Sequence, residues 1–121
     1  MQKKIKKTIC FDIDGVICRT IGNNYMDSKP IKKNIHAINQ LYMKGYTIKI
    51  FTARYMGRHK DIVNKAKKQG YKFTKKKLNE WGLKYHKLIF GKPSFDLIID
   101  DKAIFFNNNW SNRINKILKN I

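Results

Sequence analysis

The short apolar run Ile9-Cys10-Phe11 ends abruptly in Asp12-Ile13-Asp14-Gly15-Val16. Apolar residues on both faces of so short a run predict a buried strand of a parallel sheet. Acids at i and i+2 of an extended chain point the same way, so Asp12 and Asp14 should emerge together at the strand's carboxyl end. In an open α/β sheet that end is where ligands bind. Gly15 lets the chain turn there without a Cβ penalty. Two neighbouring carboxylates repel, and such a pair commonly holds a cation or shares a proton.

The rest of the chain repeats this pattern. Thr8 to Asp12 reads as the first strand, and Asp14 to Lys29 as a long loop with a small hairpin around Gly22-Asn23-Asn24. Pro30 suits a helix start; Ile31, Ile35, Ile38, Leu41 and Tyr42 keep helical spacing, and Gly45 is the expected stop. Tyr46 to Phe51 is a second strand, ending at Thr52-Ala53-Arg54. Helices are predicted over Asp61 to Gln69, stopped by Gly70, and from a Thr74 cap through Trp81. Leu88 to Phe90 is a third strand, broken by Gly91-Lys92-Pro93, and Phe95 to Ile99 a fourth, ending in Asp100-Asp101. Ser111 is placed to cap a final amphipathic helix carrying Ile114, Ile117 and Leu118.

Strands alternating with helices predict an α/β fold: a three-layer, Rossmann-like parallel sheet flanked by helices. With 121 residues and no linker, residues 1–121 should form a single domain. Hydrophobic residues make up 42% of the chain, enough for a core despite a formal charge of +19. No apolar run is long enough to cross a bilayer. The basic start, Met1 to Thr8, leads into too short an apolar stretch for a signal peptide, and Cys10 and Cys18 form no CxxC pair. These features lead us to expect a cytoplasmic protein with free thiols.

Three strand ends thus carry chemistry: Asp12 with Asp14, Thr52, and Asp100 with Asp101, with Lys92 between the last two strands. In this order the set resembles the haloacid dehalogenase (HAD) superfamily of phosphatases. Phe11 to Val16 is similar to its hydrophobic-Asp-x-Asp-Gly-hydrophobic motif, Thr52 to its Ser/Thr at the end of strand two, Lys92 to its Lys within Gly-Lys-Pro, and Asp100-Asp101 to its paired acids. The resemblance runs from about Thr8 to Phe105. Thr52-Ala53-Arg54-Tyr55-Met56, Trp81-Gly82-Leu83, Phe90-Gly91-Lys92-Pro93 and Asp100-Asp101-Lys102-Ala103-Ile104 look most like the small bacterial phosphatases of capsule and surface-polysaccharide biosynthesis.

The resemblance implies a role for each residue. Asp12 would be the nucleophile, forming an aspartyl-phosphate that water hydrolyses. Asp14 would be the general acid for the leaving alcohol and then the base for water. A carboxylate meeting a phosphate dianion is repelled by about 4 kcal/mol per pair of unit charges at ~4 Å and an effective dielectric near 20. The family offsets this with Mg²⁺, held by Asp12, Asp100 and the main-chain carbonyl of Asp14, with Asp101 orienting water or Lys92 from behind. Thr52 would donate to a phosphoryl oxygen, and Lys92 would neutralise Asp12 and the phosphate. Arg54 and Arg58, beside Thr52 in an arginine-poor chain, are candidate substrate-binding residues because a guanidinium grips anions at two points.

Neither gap usual for a cap domain, Asp14 to Lys29 or Thr52 to His86, has room for one, so a capless site is expected, which suits a large substrate or a lid lent by a second subunit of a homo-oligomer. The subfamily resemblance implies a small sugar, polyol or amino-alcohol phosphate as substrate. Two alternatives stand beside this reading. The positive charge would suit a nucleic-acid-end phosphatase, although a lysine-, isoleucine- and asparagine-rich composition also follows from AT-rich coding. A non-catalytic metal-binding regulatory module is the other. His36, His59 and His86 lack metal-ligand spacing and are read as structural, and Trp81 and Trp110 as core or interface.

Overall fold

The computed structural model describes residues 7–104 and 106–121. Among these residues three parallel strands form the sheet: β1 (Thr8–Phe11), β4 (Thr47–Thr52) and β5 (Lys87–Phe90), in the order β1-β4-β5. The register sets Phe11 opposite Ile50 and Thr52 opposite Phe90. The carboxyl ends of the strands therefore share one edge of the sheet, which is the feature that positions the site. A two-stranded antiparallel ribbon, β2 (Cys18–Arg19) with β3 (Lys29–Pro30), lies between β1 and the first helix. It is the small hairpin expected of the Asp14 to Lys29 loop, and a short 3-10 turn at Tyr25–Asp27 closes it.

Among the described residues three α-helices complete the fold: α1 (Lys32–Met43), α2 (Val63–Glu80) and α3 (Trp110–Leu118). α1 packs on β4 and on α3, and α2 packs on β5. Strand β4 alternates, with Ile48, Ile50 and Thr52 fully buried. Ile38 and Leu41 of α1 and Leu78 of α2 join them in the core. Phe11 meets Trp110 at 5.4 Å between ring centres, tying β1 to the last helix, so Trp110 is the core residue its sequence context predicts. Gly45 (φ 99°) and Gly82 (φ 75°) stop α1 and α2 in the left-handed region, as a helix stop requires.

Three expectations about the helices are corrected. The two helices predicted on either side of Gly70 are one helix, Val63–Glu80. Gly70 is there for room, since a Cβ at this position would lie 2.0 Å from the Tyr55 ring. Thr74, the expected cap, is buried in mid-helix, and the last helix begins at Trp110, one residue before Ser111.

The predicted fourth strand, Phe95 to Ile99, is not formed. After β5 the backbone N–H of Lys92 still bonds the Thr52 carbonyl, at 3.2 Å. Pro93 then brings no donor, and the Ser94 N–H and hydroxyl both turn to Asp61 Oδ1 (3.2 and 3.0 Å), which draws the chain away from the sheet. Leu97 and Ile99 are left exposed. Among the described residues β1 is an edge strand of this sheet, and Cys10, expected to be buried, is exposed.

Candidate active site

A cavity of about 330 Å³ opens at the carboxyl ends of the strands, lined by Asp12, Asp14, Arg54, Arg58 and Lys92 among others. Asp12 follows β1 directly. Its Oδ1 accepts the Ile13 N–H at 2.8 Å, which turns the carboxylate back over the strand end. Its Oδ2 lies 3.4 Å from Lys92 Nζ. Burial pushes the Asp12 carboxyl up from its ordinary value; Lys92 and the Ile13 N–H pull it back in part, and Asp14 adds to the rise. Asp12 is thus a partly desolvated carboxylate facing one ammonium.

Asp14 lies 40 residues from Arg54 in sequence but is held by it in two-point fashion: Arg54 Nε donates to Oδ2 at 2.9 Å and Nη2 to Oδ1 at 2.8 Å. The ribbon completes the clamp. Thr20 Oγ1 donates to Asp14 Oδ1 and pairs with Ser28 Oγ at 2.7 Å, and Arg54 Nη2 also reaches Ser28 Oγ at 3.2 Å. Arg54 is 1% exposed and Asp14 28%, so the guanidinium side of this ion pair is buried while the carboxylate keeps contact with the cavity. Burial alone would lower the guanidinium pKa; the hydrogen bonds and charge of Asp14 overcome that and raise it.

Arg54, a candidate substrate-binding residue in the sequence, is found bound to Asp14. It lines the cavity, but Nε and Nη2 are committed to Asp14 and Ser28, so it works by holding Asp14. Thr20 and Ser28 went unnoticed in the sequence because a lone hydroxyl in a loop carries no pattern. Thr52 ends β4 as expected but is fully buried, its Oγ1 accepting the Arg54 N–H at 3.1 Å. It shapes the turn that aims Arg54 and is not on the cavity wall. Lys92 is where the sequence places it, beside Asp12 and 5.5 Å over the Phe95 ring.

Asp100 and Asp101 are not brought to the site. Both are exposed and off the sheet, for lack of the fourth strand, and Asp100 Oδ1 accepts the Lys102 N–H at 2.8 Å. Among the described residues no group of three or more His, Cys, Asp or Glu side chains is gathered to hold a metal ion. The donor chemistry still fits a magnesium ion in one form. Mg²⁺ commonly takes one or two carboxylates and completes its shell with waters and substrate phosphate. Asp12 offers such a carboxylate within the cavity, while Asp100 contributes nothing in this arrangement.

Aromatic residues form the opposite flank. Tyr25 and Tyr55 meet edge to face at 4.8 Å, the Arg54 guanidinium lies 4.7 Å over the Tyr25 ring, and Arg58 lies 4.8 Å over the Tyr55 ring. Neither tyrosine has periodic neighbours that would have marked it in the sequence.

No family model matches this chain, and no curated protein matches it. Two solved structures are similar in fold. One is a crystal structure of a structural-genomics target from Vibrio cholerae, 22% identical, covering 94% of this chain and 98% of that one with a TM-score of 0.77. The other is a chain of a Pnkp1/Rnl/Hen1 complex, 11% identical with a TM-score of 0.52; the match covers 96% of this chain but 35% of that one. At these identities the likeness is one of fold: a small α/β domain built on a parallel sheet. Among the described residues no helix is long and apolar enough to cross a membrane.

Proposed function

We propose that this protein is a phosphomonoester phosphatase of the haloacid dehalogenase type, with a Rossmann-like core and no cap, acting through an aspartyl-phosphate on Asp12. One observation carries the reading. Asp12 and Lys92, 80 residues apart, meet at 3.4 Å in a cavity that a second, firmly held acid, Asp14, also lines. A nucleophilic carboxylate, a cation to offset its repulsion from phosphate, and a separate proton-transfer group are what this chemistry requires.

In the first half-reaction an Asp12 carboxylate oxygen attacks phosphorus, the bond to the ester oxygen breaks, and Asp14, having taken up the proton of a monoanionic phosphate ester as it binds, delivers that proton to the departing alcohol. In the second, Asp14 takes a proton from water as that water attacks the phosphorus of the aspartyl-phosphate. Inorganic phosphate leaves and the Asp12 carboxylate is restored. Lys92 faces negative charge in both steps. Arg54, Thr20 and Ser28 keep Asp14 in one orientation throughout, which limits the reorganisation needed at the moment of proton transfer. Mg²⁺ bound through Asp12 and the phosphate would supply further charge neutralisation.

The open, capless mouth and the resemblance to capsule and surface-polysaccharide phosphatases favour a small sugar, polyol or amino-alcohol phosphate. A phosphate-release screen across sugar, polyol, amino-alcohol and nucleotide monophosphates with Mg²⁺ tests this. Turnover of small esters that persists at about 0.2 M salt is expected; activity confined to nucleic-acid ends, and lost steeply with salt, would replace it with the nucleic-acid reading. No turnover, alongside Mg²⁺ binding, would leave a regulatory module.

A further inference from the structure

Arg58 stands apart from the other charged groups of the cavity. Asp14 is paired with Arg54 and Asp12 with Lys92, while no ion pair or hydrogen bond involves the Arg58 guanidinium among the described residues. Its side chain is exposed, and two rings orient it. It lies over two rings at once, 4.8 Å from the centre of Tyr55 and 5.9 Å from that of Tyr25.

The loop that carries it is built at a cost. Tyr55 (φ 66°), Lys60 (φ 51°) and Asp61 (φ 61°) all occupy the left-handed region without being glycine. Such strain persists where the surroundings over-determine it. Here Gly70 opens the slot that accepts the Tyr55 ring, and Asp61 clamps Ser94 of the facing loop through both its N–H and its hydroxyl. A strained, braced loop holding a flat, unpaired guanidinium at a cavity wall is preorganised for an anion.

Lys92 and Arg58 line the same cavity, and Lys92 is placed to serve the phosphoryl group beside Asp12. We propose that Arg58 binds a second anionic group on the substrate, so that the preferred phosphate esters carry a carboxylate or a further phosphate on the alcohol portion. The inference rests on the phosphatase reading for the place of the first phosphate and deepens it by naming the substrate's second charge.

The test is a binding comparison that does not depend on turnover. Titration calorimetry on Asp12→Asn uses two pairs of probes. These are 3-phosphoglycerate against glycerol 3-phosphate for a carboxylate, and fructose 1,6-bisphosphate against fructose 6-phosphate for a second phosphate. At least one doubly anionic member should bind ten-fold or more tighter than its partner, and adding Arg58→Gln should erase that preference. Lys76→Gln on the exposed face of α2 should leave it intact, which separates Arg58 from the general positive field. Equal affinity within both pairs overturns the proposal, and so does a preference that survives Arg58→Gln. Failure of the wild-type protein to turn over any ester, with the preference present and Arg58-dependent, would count against the phosphatase reading and leave this site standing.

Discussion

Arg54 grips Asp14 through two parallel hydrogen bonds of 2.9 and 2.8 Å from a position that solvent does not reach. The pair joins the turn after β1 to the turn after β4, so the geometry of one catalytic candidate is written into the packing of the domain. Removing one partner of a buried pair leaves the other charge uncompensated, at a cost of about 3–5 kcal/mol when both are fully interior. Asp14 retains 28% exposure, so water screens part of this. Arg54→Met should lower unfolding free energy by roughly 2–3 kcal/mol in a denaturant titration, and Asp14→Asn in the same chain should recover part of the loss. A single variant as stable as the parent would show that the pair contributes nothing.

The raised Asp12 pKa has two consequences of determinate sign. The folded protein holds the Asp12 proton more tightly than the unfolded chain, so this group withdraws stability as pH climbs from its ordinary 3.8 through the raised value. Asp12→Asn, neutral at every pH, should therefore be inactive yet melt higher than the parent at pH 7, with the difference vanishing in acid. In metal-free protein the Asp12 carboxyl should likewise titrate above its ordinary value, read by carbon-detected NMR, and added Mg²⁺ should pull it back down. A destabilised Asp12→Asn at neutral pH would contradict this account.

Lys92 lowers the Asp12 pKa and, in the proposed mechanism, faces the charge that develops during phosphoryl transfer. Lys92→Gln should reduce kcat by about 10²–10³-fold, the scale for losing one preorganised electrostatic donor. It should also raise the Asp12 titration further in metal-free protein, which loss of packing alone would not do. Steady-state kinetics read the first effect and NMR titration the second.

Gly70→Ala sets two effects against each other. Helix propensity favours alanine in mid-helix by about 1 kcal/mol. The new Cβ, however, would fall 2.0 Å from the ring of Tyr55, which is buried and pinned by Tyr25 and Arg58. Overpacking of this kind costs about 1–3 kcal/mol, so thermal melting should drop, and Tyr55→Leu in the same chain should restore much of the difference. A melting temperature at or above that of the parent would mean that the ring moves freely and that the loop is not braced.

The site was legible in the sequence where chemistry coincided with strand periodicity. Asp12 and Asp14 are two apart on an extended segment, and Lys92 follows an apolar run at a glycine break, so pattern alone placed them at one edge. Gly70 misled because a glycine at a helix end and a glycine making room for a distant ring look alike until Tyr55 is placed. Phe95 to Ile99 misled because apolar spacing describes a strand but not its neighbour, and the Asp61–Ser94 clamp diverts the chain before it can pair. The pairing of Arg54 with Asp14 was hidden because contacts across 40 residues leave no local trace.

The central claim is that Asp12 takes the phosphoryl group. Acid quench of the protein during turnover of a small phosphate ester, followed by peptide mass spectrometry, tests it directly. The account predicts a hydroxylamine-labile phosphoryl group on the peptide containing Asp12, absent from Asp12→Asn. Turnover that leaves the label on another residue, or that continues at full rate in Asp12→Asn, would contradict it.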